Sequence, residues 1–367
     1  AILQTQDRFG ATALAPVVYN ASIIGAALLL EPLLGIQGVA VGVVVGAIGH
    51  VAIQLPALRG RFTYTPRVDA SDRAARQTFW LMLPRAIGMG ANQITFLVNT
   101  ALASTVAVGA VVSYTVAFSV LQIPLGVIGL PLGIVLLPSM SRVLANGDEA
   151  EFGTMVVRAL RLLLWVMALV AATGIVTRDE VVDLLFGWGF DEQELAATAG
   201  ALGVFLFARP AHAMHVILGR ACYRWSDTVR PGSVAICSVG VYLRCSSATV
   251  GALGLQGLAL GIALGAWFEA TTLIILLRRK HPAIAARSVV RGGAISIVGA
   301  LLAALVAAGV LALDLVPADL PRVVSLLIEL VLSSGAGLAV FLLYSRLVRL
   351  PVLPRAIDLG RSAIRGR

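Results

Sequence analysis

Seven polar side chains within otherwise apolar stretches are the residues of this sequence that could bind a ligand. They are Arg85, Asn92, Gln93, Asn99, Gln122, Arg209 and His212. Polar and ionisable groups are costly in apolar surroundings, so they tend to face a cavity or a partner. An arginine among amides suits an anionic ligand, because its guanidinium donates paired hydrogen bonds to phosphate or carboxylate oxygens. We therefore expect these side chains to line a cavity for an anionic substrate.

The spacing of three of these residues supports a shared face. Arg85, Asn92 and Asn99 recur every seven residues, which places them on one side of a helix with a drift of about 20° per heptad. Alternatives stay open for the two arginines. Arg85 could extend its head group to a membrane surface, and Arg209 could pair with another residue instead of lining a cavity.

Enzyme chemistry has little support in the sequence. The chain holds no serine-hydrolase, Walker A or zinc-protease signature. Its four histidines do not combine with acids or cysteines at metal-ligand spacing, and His212 and His215 are better explained as cavity-wall or helix-packing contacts. Its three cysteines show no metal or redox spacing. We predict a protein that is not an enzyme and that binds no metal or cofactor.

Composition predicts that membrane-spanning helices carry the candidate residues. The chain is 59% hydrophobic and 13% charged, whereas a soluble domain carries about 25% charged residues. The apolar residues form ten blocks of about 20, the length at which a helix crosses ~30 Å of hydrocarbon. These segments cover residues 12–31, 37–57, 79–103, 110–137, 157–177, 196–219, 232–250, 255–277, 293–313 and 322–345. We predict an all-α, polytopic membrane protein.

Lysine and arginine concentrate in every second connection between these segments. Residues 58–78 hold five arginines, for example, whereas residues 104–109 hold none. The formal net charge of +9 is then explained by membrane topology rather than by nucleic-acid binding. By the positive-inside rule, both ends of the chain are expected in the cytoplasm. Residues 58–78 form either a solvated basic loop or an amphipathic helix on the inner surface.

An internal repeat links the start of the chain to its second half. Residues 34–47 read LGIQGVAVGVVVGA and residues 253–266 read LGLQGLALGIALGA. The copies are six segments apart, so they cross the membrane in the same direction, as a parallel repeat. Chance matching of small residues is the alternative. If six helices form the repeating unit, the chain divides into five parts. These are the last two helices of an N-terminal lobe at 1–57, a cytoplasmic connection at 58–78, a six-helix lobe at 79–277, two additional helices at 278–345 and a basic tail at 346–367.

Five motifs along the chain resemble those of one family. They are DRFGATALAPVVYNASII at 7–24, LMLPRAIGMGANQITFLVNTALAS at 81–104, QIPLGVIGLPLGIVLLPSMSR at 122–142, LLFGWGFD at 184–191 and ACYRWSDTVRP at 221–231. In order and spacing, the sequence resembles the MurJ (MviN) lipid II flippases of the MOP exporter superfamily. The resemblance covers essentially the whole chain.

The resemblance implies a fold of fourteen helices, so the chain is expected to lack the family's first four. It also implies movement of lipid II, the undecaprenyl-pyrophosphate-linked peptidoglycan precursor, from the inner to the outer leaflet of the bacterial cytoplasmic membrane. Alternating access around a cationic cavity is the implied mechanism, coupled to the membrane potential or to a monovalent cation. The implied partners are the lipid bilayer, this precursor and cell-wall synthesis proteins.

The sequence departs from the family pattern in ways that affect activity. Phe118 and Ser119 stand where members often carry an Asp–Arg pair, and several of the family's cavity arginines belong to the four helices expected to be missing. We therefore expect the fold to be retained and the transport activity to be incomplete in this chain. Two alternatives are an exporter of another lipid-linked oligosaccharide or drug, and a non-transport membrane scaffold for cell-wall synthesis.

Overall fold

The computed structural model describes residue 3 and residues 10–58, 72–129, 143, 146–224, 229–280, 284–317 and 320–350. The helices in this part of the chain are α1 Gly10–Leu29, α2 Glu31–Leu34, α3 Ile36–Ala52, α4 Leu55–Leu58, α5 Arg73–Ser104, α6 Ala110–Pro124, α7 Glu149–Val176, α8 Arg178–Phe186, α9 Glu192–Phe207, α10 Arg209–Arg224, α11 Val229–Leu253, α12 Leu255–Lys280, α13 Ala286–Ala312 and α14 Arg322–Leu347. The described residues contain no strand. The all-α prediction is therefore confirmed.

The chain divides into two compact units, Ala1–Leu81 and Met82–Arg367. The first holds α1 to α4, in which α1 packs against α3. The second holds α6 to α14, and α5 runs through the boundary residues. The finer domain borders predicted from the sequence stay a prediction, and most of the connection at 58–78 and the tail after residue 350 lie outside the described residues.

Eight helices among the described residues are long and apolar enough to cross a membrane, and the bent pair α9–α10 makes a ninth. This confirms a polytopic membrane protein, although the sequence predicted ten crossings. The remaining predicted segment, 79–103, lies in α5, a helix of 32 residues. Among the described residues of α5, Thr95–Ser104 forms an apolar stretch that is shorter than a membrane span. Most side chains at 83–92 lie outside the described part of the chain.

Acidic caps fix where two of the long helices begin. Asp148 accepts a hydrogen bond from the backbone N–H of Glu151 at 2.9 Å and so starts α7. Asp191 and Glu194 form a reciprocal capping box at the start of α9, with bonds of 2.7 and 3.3 Å. Each cap satisfies N–H groups that have no partner inside the helix. Both caps mark the ends of apolar runs, where the chain meets water.

Helix α7 lies at the centre of the second unit. Its fully buried residues Leu160, Leu163 and Met167 belong to one apolar cluster with residues of α10 and α12. On another side of α7, the indole N–H of Trp165 donates to the Ser345 hydroxyl of α14 at 2.9 Å. Helix α7 therefore joins the apolar cluster that it shares with α10 and α12 to helix α14.

Two spanning segments are interrupted next to prolines. Helix α6 ends at Pro124 and continues as one π-helical turn, Leu125–Gly129. Helix α9 ends at Phe207, and α10 leaves it at 45° with Pro210 as its second residue. Proline donates no backbone hydrogen bond and so breaks the ladder. The sequence placed Arg209 in the middle of one helix, which is wrong, because it is the first residue of α10.

The sequence repeat reappears as a repeat of helix packing. Gly35 and Gly254 both adopt positive φ, +60° and +56°, in the tight turns before α3 and α12. A methyl group added at Gly38 would lie 2.5 Å from the Leu30 carbonyl oxygen, and one added at Gly257 would lie 2.5 Å from that of Thr249. The offset of 219 residues holds for each glycine and for its partner. Glycine therefore permits the close approach in both copies.

We predict that Gly38→Ala and Gly257→Ala each lower the free energy of unfolding by about 1–3 kcal/mol, because the new methyl group forces rigid backbone apart. Gly25→Ala and Gly251→Ala are the matched controls, since an added methyl group there meets nothing within 4 Å. Thermal unfolding in detergent measures the difference. Equal stability of the crowded and open variants would show that these crossings do not need glycine.

Candidate functional site

The seven candidate residues do not form one described cluster. Arg85 and Asn92 lie on α5, but their side chains are outside the described part. Gln93 and Gln122 are exposed, whereas Asn99 and Arg209 are buried and His212 is partly buried. Their shared role as a substrate-cavity lining therefore stays a prediction. Two of the residues, Asn99 and Arg209, make buried contacts that show their local function.

Asn99 joins helices instead of facing open space. The Tyr242 hydroxyl of α11 donates to the Oδ1 atom of Asn99 on α5, and both residues are almost fully buried. Tyr114 of α6 also lies against Asn99. The amide therefore links three helices through its polar group. The tyrosine partner of Asn99 is 143 residues away, and no spacing rule identifies it.

Arg209 is the most enclosed charged residue in the described part of the chain. Its side chain is 0% exposed, and its Nη1 atom donates to the Leu121 carbonyl oxygen of α6. Its Nε and Nη2 atoms are buried without a hydrogen-bond partner. No carboxylate among the described residues forms an ion pair with it. Arg209 thus carries a buried positive charge that the described residues leave uncompensated.

His212 and His215 follow Arg209 on α10 but have different surroundings. The Nδ1 atom of His212 is buried without a partner. The Nδ1 atom of His215 lies 3.1 Å from a carboxylate oxygen of Glu269 on α12. The sequence indicated that the histidines would not combine with acids at ligand spacing, and this contact between residues 54 positions apart depends on how α10 packs against α12. The described residues hold no group of three or more metal-ligating side chains.

An ionic cluster that the sequence did not predict lies around α8. Arg322, at the start of α14, contacts Asp183 of α8 through two hydrogen bonds of 2.5 and 3.2 Å. One carboxylate oxygen of Glu180 is buried without a partner. Burial, with smaller contributions from Asp179 and Glu329, raises the pKa of the Glu180 carboxyl, and the nearby Arg178 opposes the shift. The Arg322–Asp183 contact joins α8, which lies outside the spanning segments, to the first residue of α14.

A cavity of about 510 Å³ opens between the ends of several helices of the second unit. It lies between the α5–α6 connection, the start of α9 and the α11–α12 turn. Its polar lining is acidic and amide-bearing, from Asp191, Glu194, Gln193 and Gln256. This lining does not suit an anionic ligand, and none of the seven candidate residues contributes to it.

Comparison with known proteins finds matches to one family. A family model described as lipid II flippase MurJ matches residues 1–326. The lipid II flippase MurJ of Burkholderia cenocepacia is 27% identical over 288 residues, which cover 76% of this chain and 56% of that protein. The probable lipid II flippase MurJ of Rhizobium meliloti is 29% identical over 288 residues, covering 75% and 53%. The chain spans about half the length of the curated relatives it matches.

A solved structure supports the same fold. It is described as lipid II flippase MurJ in an inward closed conformation, and it superposes with a TM-score of 0.73. The match covers 95% of this chain and 69% of that chain, at 17% sequence identity. The likeness shows that the two chains share a fold over 95% of this chain.

We predict that Glu180→Gln stabilises the protein at neutral pH. Because the folded-state pKa of Glu180 is raised, its ionised form destabilises the fold above that pKa, and this penalty disappears as the pH falls towards the unfolded-state value. The advantage of the variant should therefore shrink on acidification. Thermal unfolding in detergent across this pH range tests it, with Glu192→Gln, an exposed acid at the start of α9, as control. A constant difference at all pH values would contradict the assignment.

Proposed function

The chain belongs to the MurJ family of lipid II flippases, and we propose from this membership that it takes part in moving lipid II from the inner to the outer leaflet. The observation that carries the proposal is the family match over residues 1–326. With its apolar helices, this makes the chain a multi-pass protein of the inner membrane. Its family is one of transporters, and we propose no chemical step on the lipid.

Arginine chemistry supports an anionic, pyrophosphate-linked substrate. A guanidinium binds phosphate oxygens through paired N–H groups and keeps its charge in apolar surroundings. Arg85 lies on α5, seven residues from Asn92 and fourteen from Asn99. We propose Arg85 as the main substrate contact, with Asn92, Gln93 and Gln122 as further polar positions on the path. Asn99 supports this path through its bond to Tyr242.

We propose that both ends of the chain lie in the cytoplasm, because arginine is concentrated in alternate connections. With this orientation, a negatively charged headgroup moves outward, away from the negative side of the membrane. Each elementary charge moved through the potential contributes about 2.3 kcal/mol per 100 mV. Coupling to the membrane potential therefore suits this substrate, and a monovalent cation gradient is the second source of energy that we propose to test.

Alternating access requires helices that bend, and two breaks in the second unit supply candidate hinges. One is the π turn after Pro124, and the other is the 45° bend between α9 and α10. Breaks of this kind in spanning helices are tolerated where protein or a water-filled path satisfies the freed backbone groups. We propose that these positions absorb the motion. Cell-wall synthesis proteins are proposed partners that would receive the lipid at the outer surface.

The function is tested by expressing the gene that encodes this chain in a strain depleted of its own lipid II flippase. We expect the full-length gene to restore growth, and we expect Arg85→Ala to weaken substrate binding about tenfold to hundredfold, since a hydrogen bond to a charged group contributes about 1.5–3 kcal/mol. Arg244→Ala, at an exposed position of α11, is the matched control. Movement of labelled lipid II in vesicles that contain the purified protein gives the direct measurement.

Two outcomes would contradict the proposal. Export of a drug or another glycan lipid, without movement of lipid II in vesicles, would favour a different exporter of the superfamily. Normal activity of Arg85→Ala would remove this arginine from the substrate path while leaving the family function intact.

A further inference from the structure

The buried charge of Arg209 has no counterpart in the described protein around it. Three nitrogen atoms of its guanidinium are available as donors, and only Nη1 has an acceptor, the carbonyl oxygen of Leu121. Arginine keeps its positive charge inside proteins. Leaving a charge buried and unpaired costs several kcal/mol, more than most single contacts contribute. A stable fold therefore needs a further acceptor at Nε and Nη2.

The position of Arg209 explains why the described residues do not supply that acceptor. Arg209 is the first residue of α10, at the 45° bend after α9. Its one acceptor is the carbonyl oxygen of Leu121, near the end of α6. The carbonyl oxygen of the next residue, Gln122, accepts a hydrogen bond from the backbone N–H of Leu125, where the π turn begins. The guanidinium thus lies between two interrupted helices. Interruptions of this kind leave space and unsatisfied groups that a regular helix would not have.

His212 adds a second unpartnered polar group beside the same arginine. It is three residues along α10, so both side chains project from one face. Its Nδ1 atom is buried and has no partner, and that atom donates a hydrogen bond in the tautomer that carries the proton there. The nearest acid on the facing helix, Glu269, is already paired with His215 at 3.1 Å. No described carboxylate is therefore left to neutralise Arg209.

We propose that Arg209 and His212 form a buried site for a small inorganic anion, of which chloride is the simplest. The Nε–H and Nη2–H groups of Arg209 and the Nδ1–H group of His212 would donate to it. The enclosure of Arg209, at 0% exposure, favours a small ion over the headgroup of a lipid. The anion would neutralise the charge at the junction of α6, α9 and α10. This site is independent of lipid transport and would be occupied whether or not the protein moves lipid II.

The test measures anion-specific stabilisation of the purified full chain in a neutral detergent. Sodium chloride or bromide replaces sodium gluconate at constant ionic strength, so that general screening of surface charges does not change. We expect the melting temperature to rise with halide concentration and to saturate, because a ligand that binds only the folded state stabilises it by mass action. Equilibrium binding of radioactive chloride to the same sample gives the stoichiometry.

Variants locate the site. His212→Phe should require an at least tenfold higher chloride concentration for the same effect, about 1.4 kcal/mol in binding free energy. Arg209→Gln should remove the saturable response, and Arg244→Gln, at an exposed position, should keep it. If Arg209→Gln fails to fold, Arg209→Lys and His212→Phe still give the comparison, since lysine retains the charge but loses the planar array of donors.

Three results would overturn the proposal. The first is equal stabilisation by gluconate and halide, or no binding of radioactive chloride to the wild-type protein. The second is a halide response that persists unchanged in His212→Phe and in a folded Arg209 variant, which would place the anion elsewhere. The third is displacement of bound chloride by phosphatidylglycerol, which would identify the ligand as a lipid phosphate.

Discussion

Hydrocarbon offers no hydrogen-bond partner to a protein backbone, and this constraint determines most of what the chain does. Every spanning segment must satisfy its own N–H and C=O groups, which is why the apolar blocks form helices. The same constraint explains where charged residues occur. Asp148 and Asp191 cap helices at the ends of apolar runs, and arginines gather in the connections. Within the blocks, buried Asn99 accepts a hydrogen bond from Tyr242, whereas Arg209 and His212 keep buried polar atoms that have no described partner.

Close approach between helices is the second consequence of the same surroundings. Lipid competes well for apolar side chains, so helix pairs gain stability mainly by bringing their backbones close together. Gly38 and Gly257 have the same environment 219 residues apart, each against the backbone that precedes its helix. The repeat in the sequence is therefore a repeat of contact geometry. This geometric match argues against chance similarity among small residues.

Two interrupted helices show where a spanning segment does not satisfy all of its own backbone hydrogen bonds. Pro124 and Pro210 each remove a backbone donor from a spanning segment. Arg209 binds the Leu121 carbonyl oxygen and so links the two interrupted segments through one side chain. The arrangement satisfies a backbone acceptor but places a full charge in the interior. A protein that gained only stability from this region would do better with apolar residues, because a buried charge is costly. The anion proposed for this junction would offset that cost.

The sequence by itself determined the class of protein, because composition and block length depend only on the solvent that each residue must face. It also determined the family and the existence of the repeat, since motif order and glycine spacing are written along the chain. It expected all seven candidate residues to line a cavity because polar groups in apolar runs avoid lipid, but the structure buries Asn99 and Arg209 and leaves Gln93 and Gln122 exposed. Tertiary structure alone decided the partners of the buried residues. Helices far apart in sequence need a particular rotation and bend to form the contacts with Tyr242 and Leu121 and the His215–Glu269 pair. Local periodicity does not fix that rotation.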